Sequence, residues 1–347
     1  MNSAPPMLIL ASRRRALTGN SRSLSRAYKK GELVRVRFGV YYNKSAWLAL
    51  KPWQRYGATI GAVASSDPSA AFCYLTALRL WRLPLPRVPA HIHIITESPH
   101  KAGRLPATTQ AAKDPKTGLT GLEQVRGYGI SRHHWTADIV EHRGVAVTSL
   151  VQTVIDCVVR MELPEAVAAM DAVLGSRRAS SEKLTRQQLQ EASALLRSNA
   201  KRRRVLEVLA LADEASESVG ESRSRALMHV LGLPAPVLQH AFYDDEGFIG
   251  RTDFFWPEQR VIGEFDGDAK YLDDAFLGDM STREAILAEK KREDRLRALG
   301  YQVVRWDWQA ATNAALLRRK LSAAGITVQK SPPRGPIPPA LPGGLTT

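Results

Sequence analysis

A multidomain α/β architecture is what this sequence predicts, on three observations. The chain has 347 residues, 44% of them hydrophobic, which is enough for two or more cores at roughly 100 to 200 residues per domain. Strand-period and helix-period segments alternate along it. Its last third reads helix, three strands, helix, strand, an order that puts helices on the faces of a sheet.

Charge is unevenly shared along the chain. Lys and Arg total 49 against 34 Asp and Glu, a net +15, and such an excess attracts a polyanionic partner. Residues 1–60 hold 12 basic and 1 acidic side chain, 61–160 hold 11 and 7, 161–200 hold 5 and 5, and 201–330 hold 20 and 21. The basic pole is N-terminal and the carboxylates are C-terminal, so binding and chemistry are expected to be separated along the chain. Cys73 and Cys157 each sit in an apolar run and read as buried hydrophobes, which points to a reducing, cytoplasmic compartment. Arg13, Arg14 and Arg15 follow the apolar Met7 to Leu10, the reverse of a signal peptide's order. No stretch reaches the ~18 apolar residues of a membrane helix, so secretion and a membrane partner are not expected.

Residues 1–52 read as helix, helix, hairpin. A helix through Ser23 to Tyr28 stops at Gly31, and Val34-Arg35-Val36-Arg37 then alternates apolar and basic at strand period. Gly39 makes the turn into Val40-Tyr41-Tyr42. Such a strand covers a small core with Val34 and Val36 while aiming Arg35 and Arg37 outward, as a winged helix-turn-helix requires. The bland counterpart is a solvated basic hairpin, which the local charge disfavours.

Residues 53–200 form an α/β middle region. Trp53 to Ala64 and Ala70 to Trp81 read as helices, His91 to Ile95 as a strand, and Val145 to Val147 as a strand leading into a helix over 149–160 capped by Thr148 or Ser149. His91 and His93 share a strand face, but no third ligand stands at useful spacing, so packed strand histidines are the expectation. Soft boundaries fall near Gly175 to Thr185 and Ser216 to Gly220. The tail 331–347, with six prolines and three glycines, is expected to be disordered.

Residues 201–330 are the most informative. A helix from Ser216 to Leu231, ended by Gly232, is expected to expose Glu217, Glu221, Arg223 and Arg225. Strands follow at 236–243, 249–256 and 260–266, then a helix from Thr282 to Leu299 stopped by Gly300, and a strand to Trp306. With Glu258 and Gln259 as central turn residues, Asp253 and Glu264 are equidistant from the hairpin centre and face each other across the strands. Opposed carboxylates repel, and a shared proton or a hard divalent ion such as Mg²⁺ relieves them. Asp266 falls on the face of Glu264, and Glu221 can add a further carboxylate from the helix. The run from Glu289 to Arg295 has the i,i+4 pairing of a solvated helix face.

Two resemblances follow from these residues. Arg22-x-Leu24 with Gly31-x-Leu33-x-Arg35-Val36-x-x-Gly39-Val40-Tyr41 resembles the N-terminal winged helix of AbiEi-type antitoxins, transcriptional repressors of type IV toxin-antitoxin systems. It implies duplex DNA as partner and nucleoid association, with Arg22, Arg26, Lys29, Lys30, Arg35 and Arg37 as DNA-binding residues, and a cognate toxin protein as a second partner. Glu221-Ser222-Arg223, Arg251-x-Asp253-Phe254, Glu264-x-Asp266-Gly267 and Arg292-Glu293-x-x-Leu296-x-x-x-Gly300-Tyr301-x-Val303-Val304-Arg305 resemble, in order, the PD-(D/E)XK nuclease superfamily in its Vsr-like branch. That restriction-endonuclease-like α-βββ-α-β fold implies Mg²⁺-dependent hydrolysis of DNA phosphodiester bonds, with Asp253, Glu264 and Glu221 as metal ligands and Arg292 facing a phosphate or a site carboxylate. The superfamily's lysine two residues past the Glu is here Asp266. Its task passes to Lys270 or another base, or hydrolysis is weakened or absent. Two readings stay open: a DNA-binding Mg²⁺-dependent endonuclease, or a non-catalytic antitoxin and transcriptional repressor.

Overall fold

The first strand, β1 (Ile9–Leu10), joins an antiparallel sheet of order β1–β3–β2 with β2 (Leu33–Arg37) and β3 (Val40–Asn43). The structure is a computed structural model that describes residues 8–12, 22–85, 87–107, 109–111, 124–175, 179, 182–267 and 282–328. The expected tail and Lys270 lie outside the described residues. The chain divides into two units, 1–157 and 158–347, so the region 53–200, kept whole on the sequence, is split between them.

In the first unit, α1 (Arg22–Lys29) precedes the β2–β3 hairpin. Gly31 and Gly39 have positive φ, +78° and +73°, which glycine adopts without a Cβ penalty, and so end the helix and close the turn. The alternation is as expected: Val34 and Val36 are buried, Arg35 is exposed and Arg37 half-buried. The buried face packs with Val40, Tyr42, Trp47 and, from α3 (Pro52–Ser66), Ala58 and Ala62. Between hairpin and α3, α2 (Lys44–Ala49) is capped by Asn43, whose side chain accepts from Ala46 N at 3.1 Å.

Downstream lie β4 (Ala71–Phe72), α4 (Tyr74–Leu80), β5 (His91–Ile95), β6 (Gly103–Leu105), β7 (Thr109–Ala111), β8 (Gln124–Arg126), β9 (Gly129–His133), β10 (Ile139–His142), β11 (Val145–Thr148) and α5 (Leu150–Val158). Six of these strands form a sheet of order β10–β11–β4–β5–β9–β6. The helix expected over Ala70 to Trp81 is shortened, because Ala71 and Phe72 bond into the sheet beside β5 and β11. Both cysteines are buried, as their apolar surroundings suggest.

The second unit opens on α6 (Leu163–Leu174), α7 (Arg186–Ala194) and α8 (Asn199–Leu211), three helices that local periodicity alone does not separate. Next comes α9 (Val219–Val230), then β12 (Val237–Asp244), β13 (Gly247–Trp256), β14 (Val261–Phe265), α10 (Thr282–Ala298), β15 (Gln302–Trp306), α11 (Trp308–Ala311) and α12 (Ala314–Ala323). The sheet order is β12–β13–β14–β15, antiparallel except for the parallel β14–β15 pair that α10 connects. One sheet face buries Phe254, Trp256, Val261, Phe265 and Trp306 with Met228 of α9 and Leu317 and Leu321 of α12. The other buries Phe255 and Ile262 with Leu296 of α10.

Arg223 and Arg225 are not the solvated side chains expected. Arg225 pairs with the buried Asp171 at 2.6 Å and Arg223 pairs with Glu165, so α9 is fastened to α6 through its basic residues. Burial pushes the Asp171 carboxyl up in spite of Arg225, so desolvation outweighs that ion pair.

At the start of α9, Gly220 lets the helix approach the Phe265 ring, which a Cβ there would overlap. Gly220→Ala should cost about 1–3 kcal/mol of stability in urea unfolding. Phe265→Leu in that background should recover part of the loss. A Gly220→Ala variant as stable as the parent would show that the ring can yield.

Candidate active site

The β13–β14 register fixes the centre of the site. Phe254 pairs with Gly263, Phe255 with Ile262 and Trp256 with Val261, and continuing that register places Asp253 opposite Glu264. On the far side Glu264 lies beside Arg305 of β15. On the near side β12 pairs Leu238 with Phe254 and His240 with Thr252, which brings Gln239 level with Asp253. Gln239, Asp253, Glu264 and Arg305 thus form one row across the four strands.

Burial and charge set the chemistry of that row. Glu264 is 4% exposed, and Glu221, in the first turn of α9, is 7% exposed rather than solvated. Glu221 sits where the Ser218 hydroxyl caps the helix by accepting from its N–H at 3.1 Å. Its Oε2 accepts from Glu217 N at 2.9 Å and from Gln239 Nε2 at 3.1 Å. Asp253 Oδ2 accepts from Phe265 N at 2.8 Å. Burial pushes Glu264 up to about 7, Asp253's charge pushes the same way, and Arg292 and Arg305 only partly offset them. Glu221 is raised for the same two leading reasons, burial and then Asp253. Both glutamates therefore sense Asp253 as a near neighbour.

Arginines from α10 and β15 cover the carboxylates. Arg292 Nη2 donates to Glu264 Oε1 and to Glu289 Oε1, each at 2.9 Å. Burial opposes the Arg292 charge, yet its bonds to Glu289 and the charge of Glu264 outweigh that and hold its pKa above the ordinary value. The two members of the pair differ in what they gain: the cation is firmly charged, whereas burial and Asp253 leave Glu264 easily protonated. Arg292 passes over Gly250, where a Cβ would stand 3.2 Å from its Cδ. Arg305 donates to Asp266 at 3.1 Å, to Glu293 at 3.0 Å and to Glu289.

Asp266 lies just past the end of β14, in an ion pair with Arg305 rather than in the row with Asp253 and Glu264. Strand period and turn position anticipate neither the Gln239 contact nor the bridging roles of Glu289 and Arg305. Gln239 is a non-glycine strand residue at φ +51°, and nothing in the local sequence marks it. Glu289 and Arg305 become legible only once α10 is placed beside β15.

As to metal, two guanidiniums, Arg292 and Arg305, bridge Glu264, Glu289, Glu293 and Asp266, and Asp253 and Glu221 add further negative charge. The donors are all carboxylate oxygens, the chemistry of a hard divalent ion. Mg²⁺ commonly uses one or two protein carboxylates and completes its shell with water and phosphate oxygens. Asp253 and Glu264 supply two carboxylates on facing strands, and among the described residues no group of three or more His, Cys, Asp or Glu is placed to hold an ion.

In the first unit, Arg22, Arg26, Lys29, Lys30 and Arg35 are exposed, with Arg35 over the Tyr28 ring at 5.1 Å. Burial, then the charge of Arg132, lowers the half-buried Arg37. His93 Nδ1 and His133 Nε2 lie 2.9 Å apart on adjacent strands. His91 packs against Gly129. No helix among the described residues is long and apolar enough to cross a membrane.

No protein-family model matches the chain. It is similar to two proteins of Mycobacterium tuberculosis titled uncharacterized, MT2308 of strain CDC 1551 / Oshkosh and Rv2248 of strain ATCC 25618 / H37Rv. Each is 26% identical over 280 residues, covering 80% of this chain and 86% of the relative. The crystal structure of the Rv2827c protein from the same species aligns over 70% of this chain and 85% of its own, at 13% identity and a TM-score of 0.35, too slight a likeness to argue from.

The raised Glu264 has a consequence for stability. The folded state keeps its proton up to about pH 7, whereas an unperturbed glutamate releases it near 4.5. Its contribution therefore favours the folded state in acid and is lost as pH rises through that window. Glu264→Gln should flatten the fall in melting temperature between about pH 5 and about pH 8, and melt higher than the parent at the alkaline end. An identical pH dependence in the two proteins would mean that Glu264 is already ionised in acid.

Proposed function

We propose that residues 216–308 form a Mg²⁺-dependent DNA phosphodiesterase domain of the PD-(D/E)XK, Vsr-like kind, and that the N-terminal winged helix holds duplex DNA. The observation that carries the first half is the buried Glu264 fixed opposite Asp253 with a carboxyl near neutral pKa. A sheet that needed only stability would gain by replacing either acid, whereas a divalent cation binds best where opposed carboxylates are poorly compensated. The helix-three strands-helix-strand order, with one acid on each of the two central strands and Glu221 on the leading helix, supports the same reading.

Asp253 and Glu264 would hold the ion, with Glu221 lending charge from the helix. The chemistry such an ion would supply is polarisation of a phosphate oxygen and a lowered pKa for an attached water. The chain's own residues do the remaining work. Phe265 N–H and Gln239 orient Asp253 and Glu221, and Arg292 holds Glu264 while keeping a cation at the mouth of the acidic row.

A second reading, a non-catalytic AbiEi-type antitoxin and transcriptional repressor, is favoured by position 266. A lysine there would orient the water. Asp266 instead adds negative charge and is tied to Arg305, and Lys270, the nearest lysine in the sequence, lies outside the described residues.

Plasmid nicking separates the two readings. The endonuclease reading expects Mg²⁺-dependent nicking that falls at least about a hundredfold in Asp253→Ala and Glu264→Ala, the scale of losing a main electrostatic element of a site. No nicking, together with retained duplex binding, supports the repressor; nicking that survives both changes would place the chemistry elsewhere.

The DNA-binding half has its own measurement. Affinity of the full chain for duplex DNA should fall linearly with the logarithm of salt concentration. Replacing Arg26, Lys29 and Lys30 together by Ala should lower the slope by about 0.9 for each phosphate that is no longer neutralised. An unchanged slope would remove α1 from the interface.

A further inference from the structure

We propose that Phe38 is an apolar wedge that enters the base stack of duplex DNA from the minor groove while neighbouring cations hold the flanking phosphates. The inference rests on the reading of the N-terminal region as a duplex-DNA-binding domain and names how that domain grips its partner.

Phe38 is 90% exposed, the most exposed of the large hydrophobic side chains in the described residues. It stands at the apex of the β2–β3 hairpin, between Arg37 and Gly39. The apex is held, not loose: Gly39 O accepts from Ala11 N at 2.8 Å, so the third strand of the sheet ties the turn down. Nothing lies within 4 Å of a Cβ placed on Gly39, which leaves open space around the tip. A fixed backbone that thrusts an aromatic ring into water gives away apolar burial, a cost that a binding event recovers when it covers the ring.

Charge names the occupant. The hairpin and the preceding helix carry exposed Arg22, Arg26, Lys29, Lys30 and Arg35, and Glu32 is the sole acid in residues 1–60. An apolar protein partner would leave those cations unanswered. A nucleic-acid duplex answers both features, with phosphates for the cations and a base step into which an apolar side chain can wedge, unstacking it and bending the helix axis. Phe38 carries no charge and releases no counterion, so its share of the affinity should be independent of salt, in contrast to that of Arg26 or Lys29.

The test uses the full chain and a duplex carrying 2-aminopurine, a base whose fluorescence rises on unstacking. Wild type should bind with a fluorescence rise. Phe38→Ala, a change at an exposed tip that leaves the core intact, should bind about tenfold more weakly with an unchanged salt slope and no rise, and Phe38→Trp should restore both. Equal affinity and equal fluorescence in wild type and Phe38→Ala would overturn the wedge while leaving DNA binding in place. Absence of duplex binding by wild type at low salt would overturn the underlying DNA reading. Loss of self-association in Phe38→Ala, with DNA affinity unaltered, would reassign the ring to an interface between copies of the chain.

Discussion

Two acids face each other across β13 and β14, one of them almost wholly out of water, and the rest of the C-terminal sheet is arranged around that repulsion. The register that imposes it is not free to slip. Shifting β14 by one residue would turn Val261 and Phe265 out of one core and Ile262 out of the other. The hydrophobic alternation therefore holds the carboxylates where electrostatics alone would part them. Everything adjacent moderates the conflict: the Phe265 amide bonds Asp253, Arg292 descends over Gly250 onto Glu264, and Arg305 joins Glu289, Glu293 and Asp266. The moderation is partial, which is why Glu264 is raised even beside two guanidiniums.

Phe265 links the two halves of this arrangement. Its backbone amide holds Asp253, and its ring packs on Gly220, one residue before Glu221. Helix α9 is fastened at the same time to α6 by Arg223 and Arg225, so the position of Glu221 is set from both sides of its helix. A substitution that shifts α9 thus changes the electrostatics of the row without touching a carboxylate. Stability and site geometry are coupled here through packing.

Where the sequence was legible, local rules were enough. The Asp253–Glu264 register followed from one turn, the α1 stop and hairpin turn from Gly31 and Gly39, and the outward Arg35 of β2 from alternation, whereas Arg37 is half-buried past a register shift. What escaped was tertiary. Arg223 and Arg225 read as solvent-facing because their partners, Glu165 and Asp171, lie more than fifty residues away. Asp266 was read on the face of Glu264 from strand period, but its ion pair with Arg305, the cross-strand neighbour of Glu264, depends on β15 lying alongside. The helix over Ala70 to Trp81 was too long because a two-residue strand inside a six-stranded sheet leaves no periodic signal. Gln239 has no local mark at all, since its positive φ and its reach to Glu221 exist only in the folded sheet.

The partition of charge also takes a more definite form. The N-terminal cations are displayed: they stand on a short helix and a hairpin with one acid among them. Among the described residues, the acids around the row are paired: Glu221 and Asp253 accept from backbone amides, and Glu264, Asp266, Glu289 and Glu293 from arginines. Displayed charge acts at a distance and is screened by salt, whereas internal charge acts on protonation and on any cation that enters. Near neutral pH the Glu264 site lies between a proton, the Arg292 guanidinium and a divalent ion. Raising the pH removes the first competitor; on the proposed endonuclease reading, an entering divalent ion would still share Glu264 with the Arg292 guanidinium bonded to it at 2.9 Å.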